Sequence, residues 1–352
     1  MITFWQQENQ KFIHKEREDL DKEFHTWVDA RNVNREDMHI LEEDFGILQE
    51  DILDILDQDE LARIDKQDDY TLIIMRLPVF VPNADISYFT TPLGIVLYKD
   101  MIITICWTDC EVLKDISSNR VKDIQLSDFP AFLTRILSRA DSTFLRYLKE
   151  INRRSTTIQN ELELAIKNDE LIQLLNLQKS LVFFTTSLKS NQMLLEKIGK
   201  TRYLVFDADD KEWLEDVEID NRQALQMADT YSNILDGMVE SFSSVISNNL
   251  NAVMRKLSVI NLVMMVPTFI TGFFGMNYPL PFENLGHWAT LIALLMCAIS
   301  IFVAYWIFNI DGTNRAGIRK VGTWRKKKKQ SRLARAERRR IMKMEREAEK
   351  RK

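Results

Sequence analysis

The sequence predicts an α/β domain that continues through a long stalk helix into two membrane-spanning helices. Three observations carry this expectation. Short runs rich in β-branched and aromatic residues crowd the first 125 positions. Helical spacing of apolar residues takes over from Pro130 onward. Two long apolar segments without a charge lie near the C-terminal end.

The first region, 1–125, reads as an α/β domain with a mostly hidden sheet. Ile2–Trp5, Thr26–Asp29, Tyr70–Val79, Ser87–Thr90, Gly94–Tyr98 and Met101–Trp107 have strand composition. Asn34 is placed to cap a helix that includes Met38–Phe45, and Gln49–Leu56 is also helical in character.

Residues 126–210 predict a helical hairpin. Phe144, Leu148, Ile151, Ile158 and Leu162 recur near helical spacing, as do Leu171, Leu174, Leu175, Leu181 and Leu188. The two helices are expected to turn back on each other near Asn168-Asp169, and Asp207–Asp210 marks a break. From Lys211 to Phe274 the only proline is Pro267 and glycine is almost absent. One helix of roughly 60 residues, near 90 Å long, follows. Such a helix needs partners in water, and copies of itself are the simplest ones. The stalk and its continuation cover 211–277, with the membrane part at about 257–276.

Charge defines the spans. After Lys256 the next charged residue is Glu283, an interval of about 26 residues, and some 20 apolar residues cross the hydrocarbon core. The second segment, 288–310, is also free of charge, with Trp288, Tyr305 and Trp306 toward its ends, where aromatic rings favour the interface. The connecting loop, 278–287, has no Lys or Arg and one acid, Glu283; Pro279 and Pro281 stiffen it. The tail, 311–352, is strongly basic: 315–352 hold 18 Lys or Arg against 4 Glu. The positive-inside rule places that tail in the cytoplasm, and two spans return the chain to its starting side. The expectation is a multi-pass protein of the cell membrane with both termini cytoplasmic. Met1–Gln10 lacks the basic and apolar regions of a signal peptide.

Composition excludes other classes. The formal charge of the chain is -5, so residues 1–314 carry about -19 once the tail is removed. An acidic domain under a membrane concentrates cations there. Cys106, Cys110 and Cys297 do not suggest a disulfide framework. The four histidines show no metal-ligand spacing, and no phosphate loop or Ser/His/Asp arrangement stands out. No enzyme activity, organic cofactor or nucleic-acid partner is expected. The Ser331–Lys352 stretch fits a charged helix on the acidic domain or on anionic lipid.

One face of the long helix gathers polar and small residues. Steps of three and four from Asn251 give Met254, Ser258, Asn261, Met265, Thr268 and Gly272, a seam of a left-handed bundle. Polar groups in a membrane helix face the bundle interior or a water path. Alternation of Asn, Ser and Thr with Met suggests wet rings separated by dry constrictions, which gate by dewetting. Leu257 adjoins the seam.

The seam ends in Gly275-Met276-Asn277, just before the outer loop. That tripeptide, placed between two C-terminal spans, resembles the CorA family of divalent-cation channels. The likeness extends from Asp216 to Asn277 without a gap, through Asn251, Met254, Met265, Pro267, Thr268, Phe269 and Gly272. It implies a homopentamer in the lipid bilayer that passes Mg2+, and often Co2+ or Ni2+, down the membrane potential. By the same resemblance, Gly275, Met276 and Asn277 form the selectivity filter. Asn251, Thr268 and Gly272 line polar stations, and Met265 with the Met254/Leu257 level forms the hydrophobic gate. Regulatory Mg2+ is implied between neighbouring soluble domains, with Asp216 as one ligand and Asp85 as the candidate partner. Asn261 departs from the family's apolar or small residue, and the basic tail is longer than usual. A zinc transporter of the same superfamily and a non-conducting, membrane-anchored sensor or scaffold are the alternatives.

Overall fold

A computed structural model describes residues 1–21, 24–98, 101–122, 124–164, 168–201, 204–276, 288, 291–292, 294–303 and 306. The chain forms two compact units, Met1–Ser244 and Val245–Lys352.

In the first unit, β1 (Ile2–Glu8) and β2 (Lys11–Lys15) form a hairpin, and a 3-10 turn at Arg17–Asp19 leads to β3 (Thr26–Arg31). Then come α1 (Arg35–Glu43), α2 (Gln49–Leu56), β4 (Arg63–Lys66), β5 (Thr71–Phe80), β6 (Tyr88–Tyr98), β7 (Met101–Cys106) and α3 (Glu111–Ser117). Three long helices complete the order: α4 (Phe129–Leu164), α5 (Asn168–Ile198) and α6 (Ala208–Phe274). Asn34 caps α1 as a capping box: its side chain accepts from the Asp37 N–H, and the Asp37 carboxylate accepts from the Asn34 N–H.

The seven strands run in the order β2-β1-β3-β7-β6-β5-β4. All pairs are antiparallel except β3 with β7, so the sheet is mixed. Both faces are covered. Trp27, Ile73, Met75, Leu77, Leu93, Ile95 and Ile102 share a core with Phe132, Leu133 and Ile136 of α4 and Leu194, Leu195 and Ile198 of α5. The alternate residues Val28, Ala30, Leu72, Ile74, Val96, Ile103 and Ile105 pack with Leu41 of α1 and Ile52 and Ile55 of α2. Burial on both sides explains why the central strands read as continuous apolar runs. Gly94 on β6 lets α2 sit close, because a Cβ there would collide with the Ile55 side chain.

One detail of the sheet corrects the sequence reading. Ser87–Thr90 and Gly94–Tyr98 are not separate strands; Tyr88–Tyr98 is one strand through Pro92. Proline is tolerated there because residues 88–92 pair only with β5, and β7 joins from Leu93 onward. Pro78 is likewise beyond the reach of β4, which pairs with Thr71–Ile74. The main chain of β5 past β4 is covered by α5 instead. Asn191 Nδ2 donates to the Arg76 carbonyl at 2.9 Å, and its Oδ1 accepts from the Arg76 N–H at 2.8 Å.

The hairpin helices and the first part of α6 share a third apolar core. Phe144 and Phe184 meet edge to face at 5.1 Å, the pairing of antiparallel α4 and α5. Leu214, Val217, Asn221, Ala224, Ala228, Leu235 and Phe242 form the buried seam of α6, with steps of three, four and seven. Asp207 and Asp210 start α6 by reciprocal bonds: the Asp210 N–H donates to Asp207 Oδ1 at 2.7 Å. The acidic break is therefore a helix cap. From Ser243 to Ser258 every residue of α6 is exposed.

Candidate functional site

In the second unit, α6 stays helical to Phe274. Its most apolar 18-residue window has a mean hydropathy of 1.5 and none of it is buried. Pro267 lies inside this stretch. Its missing N–H leaves the Val263 carbonyl without the usual donor, a local weakness in the helix.

The stretch has two distinct faces. Between Asn251 and Phe273, the half-buried residues are Val259, Val263, Pro267 and Ile270. At about 100° per residue these fall on one line, opposite the line of Met254, Ser258, Asn261, Met265, Thr268 and Gly272. All six residues of that second line are exposed, as are Asn251 and Leu257 at its borders. Phe269 and Phe273 stack at 6.5 Å on one flank.

The hydroxyls of the exposed line are turned into their own helix. Ser258 Oγ donates to the Met254 carbonyl at 2.9 Å, and Thr268 Oγ1 donates to the Met264 carbonyl at 2.7 Å. Each oxygen keeps its lone pairs outward. The face therefore offers acceptors, which match the outward-pointing protons of water held by a cation.

The line ends in a tightened turn. The Gly275 N–H is shared between the carbonyls of Thr271 at 3.0 Å and Gly272 at 3.2 Å, and the Met276 N–H donates to Phe273 at 3.4 Å. Met276 is exposed. Asn277, the loop 278–287 and the tail 311–352 lie outside the described residues. Of the second apolar segment, Leu294–Val303 is helical, and Ile292, Cys297 and Ser300 are half-buried.

The two candidate regulatory carboxylates occupy different places. Asp216 is exposed on the opening turns of α6, between buried Leu214 and Val217, which pack in one core with Leu195 and Ile198 near the end of α5. Asp85 is exposed in the loop between β5 and β6. It borders a cleft of about 660 Å³ that also includes Arg153, Arg154 and Glu161 of α4 and Gln173 near the start of α5. A single chain thus sets the two near opposite ends of α5 and does not bring them together. Among the described residues, neither makes an ion pair, and no three His, Cys, Asp or Glu side chains converge on a metal position. Arg153 and Arg154 beside Asp85 were not anticipated. Arg154 lies over the rings of Phe80 and Tyr88 at 5.5 and 5.3 Å, a contact between segments with no common sequence signal.

Comparison with known proteins agrees in fold and family. The model of the family described as CorA-like Mg2+ transporter protein matches residues 22–319. The "Cobalt/magnesium transport protein CorA" of Methanocaldococcus jannaschii is 29% identical over 293 residues, which span 81% of this chain and 90% of that protein. The complete structure of the CorA magnesium transporter from the same organism superposes with a TM-score of 0.70 at 23% identity, covering 88% of this chain and 97% of the other. The ZntB cytoplasmic domain from Vibrio parahaemolyticus gives a TM-score of 0.53 at 13% identity, covering 71% and 98%.

Proposed function

Because the chain belongs to the family of CorA-like Mg2+ transporter proteins, we propose that it is a Mg2+ channel whose pore is lined by the exposed polar line of α6. The observation that carries this reading is the opposition of the two faces. Among the described residues, Val259, Val263, Pro267 and Ile270 are half-buried, whereas the line of Met254, Ser258, Asn261, Met265, Thr268 and Gly272 is exposed and carries the polar atoms. Five copies around one axis in the bilayer give that line its partners and its water.

Entry is at the ring of Asn277, held by the turn at Gly275 and Met276. Mg2+ sheds water reluctantly, so an amide oxygen that accepts from the hydration shell selects the ion without trapping it. Below, Thr268, Gly272, Asn261, Ser258 and Asn251 receive the hydrated ion. Met265 and the Met254/Leu257 level close the path by dewetting. Two charges moving through 100 mV gain about 4.6 kcal/mol, enough to drive influx with both termini on the cytoplasmic side. The name of the Methanocaldococcus jannaschii relative supports Co2+ beside Mg2+ as cargo; Ni2+ is a third candidate. Regulatory Mg2+ between Asp216 of one copy and Asp85 of the next neutralises two acidic surfaces and holds the closed form.

Mg2+ uptake by the full chain in potential-clamped liposomes tests the reading. Wild type is expected to carry Mg2+, with competition by Co2+, and Asn277→Ala to reduce flux to background. Well-folded oligomers that pass no divalent ion with internal Mg2+ removed contradict it and leave a membrane-anchored sensor. Flux of Zn2+ alone reassigns the ion.

A further inference from the structure

Position 221 in the buried seam of α6 is an asparagine, and it faces an acid. Asn221 Nδ2 donates to Asp141 Oδ1 of α4 at 3.2 Å. Both side chains are almost wholly enclosed, at 1% and 2% exposure. Among the described residues, their other oxygens, Asn221 Oδ1 and Asp141 Oδ2, are buried without a hydrogen-bond partner. An amide oxygen can only accept, and an ionised carboxylate can only accept. Two orphaned acceptors on the two groups that already share one bond is an arrangement that a single proton repairs.

We propose that Asp141 binds a proton at neutral pH and closes a two-bond acid–amide ring with Asn221, a proton site that latches α4 to α6. The proton sits on Oδ2 and is donated to Asn221 Oδ1, while Asn221 Nδ2 donates to Oδ1. Both orphaned atoms are then satisfied and no charge is buried. A metal ion does not fit the same atoms, since among the described residues no third carboxylate, thiol or imidazole joins them.

The electrostatic surroundings agree. Burial pushes the Asp141 carboxyl well above the ordinary carboxylate range, against the hydrogen bond from Asn221, and Asp220 of α6 pushes in the same direction. Among the described residues no cation offsets this. On α4, Arg139 is bound by Asp115 of α3, Arg146 by Glu111 of α3, and Arg135 stacks on Trp213 of α6 at 3.6 Å. No charged group of α5 or of the sheet acts on Asp141 among the described residues.

The pH dependence has a definite sign. In the unfolded chain Asp ionises near about 3.9. The raised value in the fold means that the latch contributes fully below that pH. Its contribution is lost as pH rises toward the folded value, where the buried carboxyl finally ionises. Rising pH through that window therefore loosens α4 from α6. This site stands whether or not the channel reading does.

Infrared difference spectra of the full-length wild type and Asp141→Asn in lipid test it. At pH 7 the wild type is expected to show the C=O stretch of a protonated carboxyl that Asp141→Asn lacks, that shifts in Asn221→Ala, and that disappears on alkaline titration. Asp141→Asn preserves the ring with amides and is expected to unfold at or above the wild-type temperature at pH 8, whereas Asp141→Ala unfolds below it. A wild type with no protonated-carboxyl band at pH 7 overturns the proposal. A band that Asp141→Asn retains does the same. Failure of ion flux leaves the band untouched, so the two readings are tested separately.

Discussion

Thr268→Lys is expected to reduce divalent-cation flux at least about 100-fold while leaving the oligomer intact. Thr268 is on the exposed line of α6, and its hydroxyl is bound to the Met264 carbonyl at 2.7 Å. Lysine replaces an acceptor by a fixed positive charge. A divalent ion at about 5 Å from one ammonium meets a barrier of roughly 1.7 kcal/mol in water and about 7 kcal/mol at an effective dielectric constant near 20. Five copies act together, and each 1.36 kcal/mol is a factor of ten in rate. Thr268→Ser keeps the hydroxyl and the helix bond, so its flux is expected to stay within about twofold of wild type. Tracer uptake into liposomes with matched oligomer content gives both values. Wild-type flux through Thr268→Lys contradicts a pore at this face.

Asp216→Asn is expected to raise about tenfold the internal Mg2+ concentration needed to stop flux. A hydrated Mg2+ about 5 Å from a carboxylate gains roughly 1.7 kcal/mol in a water-like dielectric, and the amide forfeits most of it. The side chain is exposed on a helix whose neighbours Leu214 and Val217 are buried, so folding is little disturbed by the isosteric change. Asp85→Asn is expected to act in the same direction. Flux measured against clamped internal Mg2+ reads both midpoints. Unchanged midpoints in both variants contradict a regulatory ion at these carboxylates.

Much of the architecture was legible because the signals are local. The β-branched runs, the Asn34 cap and the nearly proline-free stretch before Phe274 fix elements through their own residues. What escaped has physical reasons. β2, Lys-Phe-Ile-His-Lys, buries only Phe12, and β4, Arg-Ile-Asp-Lys, buries nothing, so neither carries an apolar pattern. Both are edge strands, where charge discourages pairing with other chains. Pro92 concealed the continuity of β6, because its one-sided pairing depends on where β7 begins. The line of Met254, Ser258, Asn261, Met265, Thr268 and Gly272 followed from spacing alone, whereas the half-burial of Val259, Val263, Pro267 and Ile270 opposite it has no sequence signal of its own. The cleft residues Arg153 and Arg154 and the Asp141–Asn221 pair arise from long-range packing and have no sequence signature.

The most direct test of the central claim is thiol block of ion flux along α6. Single cysteines are introduced from residue 254 to residue 272 in a chain whose Cys106, Cys110 and Cys297 are replaced by alanine. A charged, water-soluble thiol reagent is then applied during Mg2+ flux. The account predicts block at Met254, Ser258, Asn261, Met265, Thr268 and Gly272, and none at Val259, Val263 and Ile270. Block without that three–four spacing, or block on the Val259–Val263 side, contradicts it.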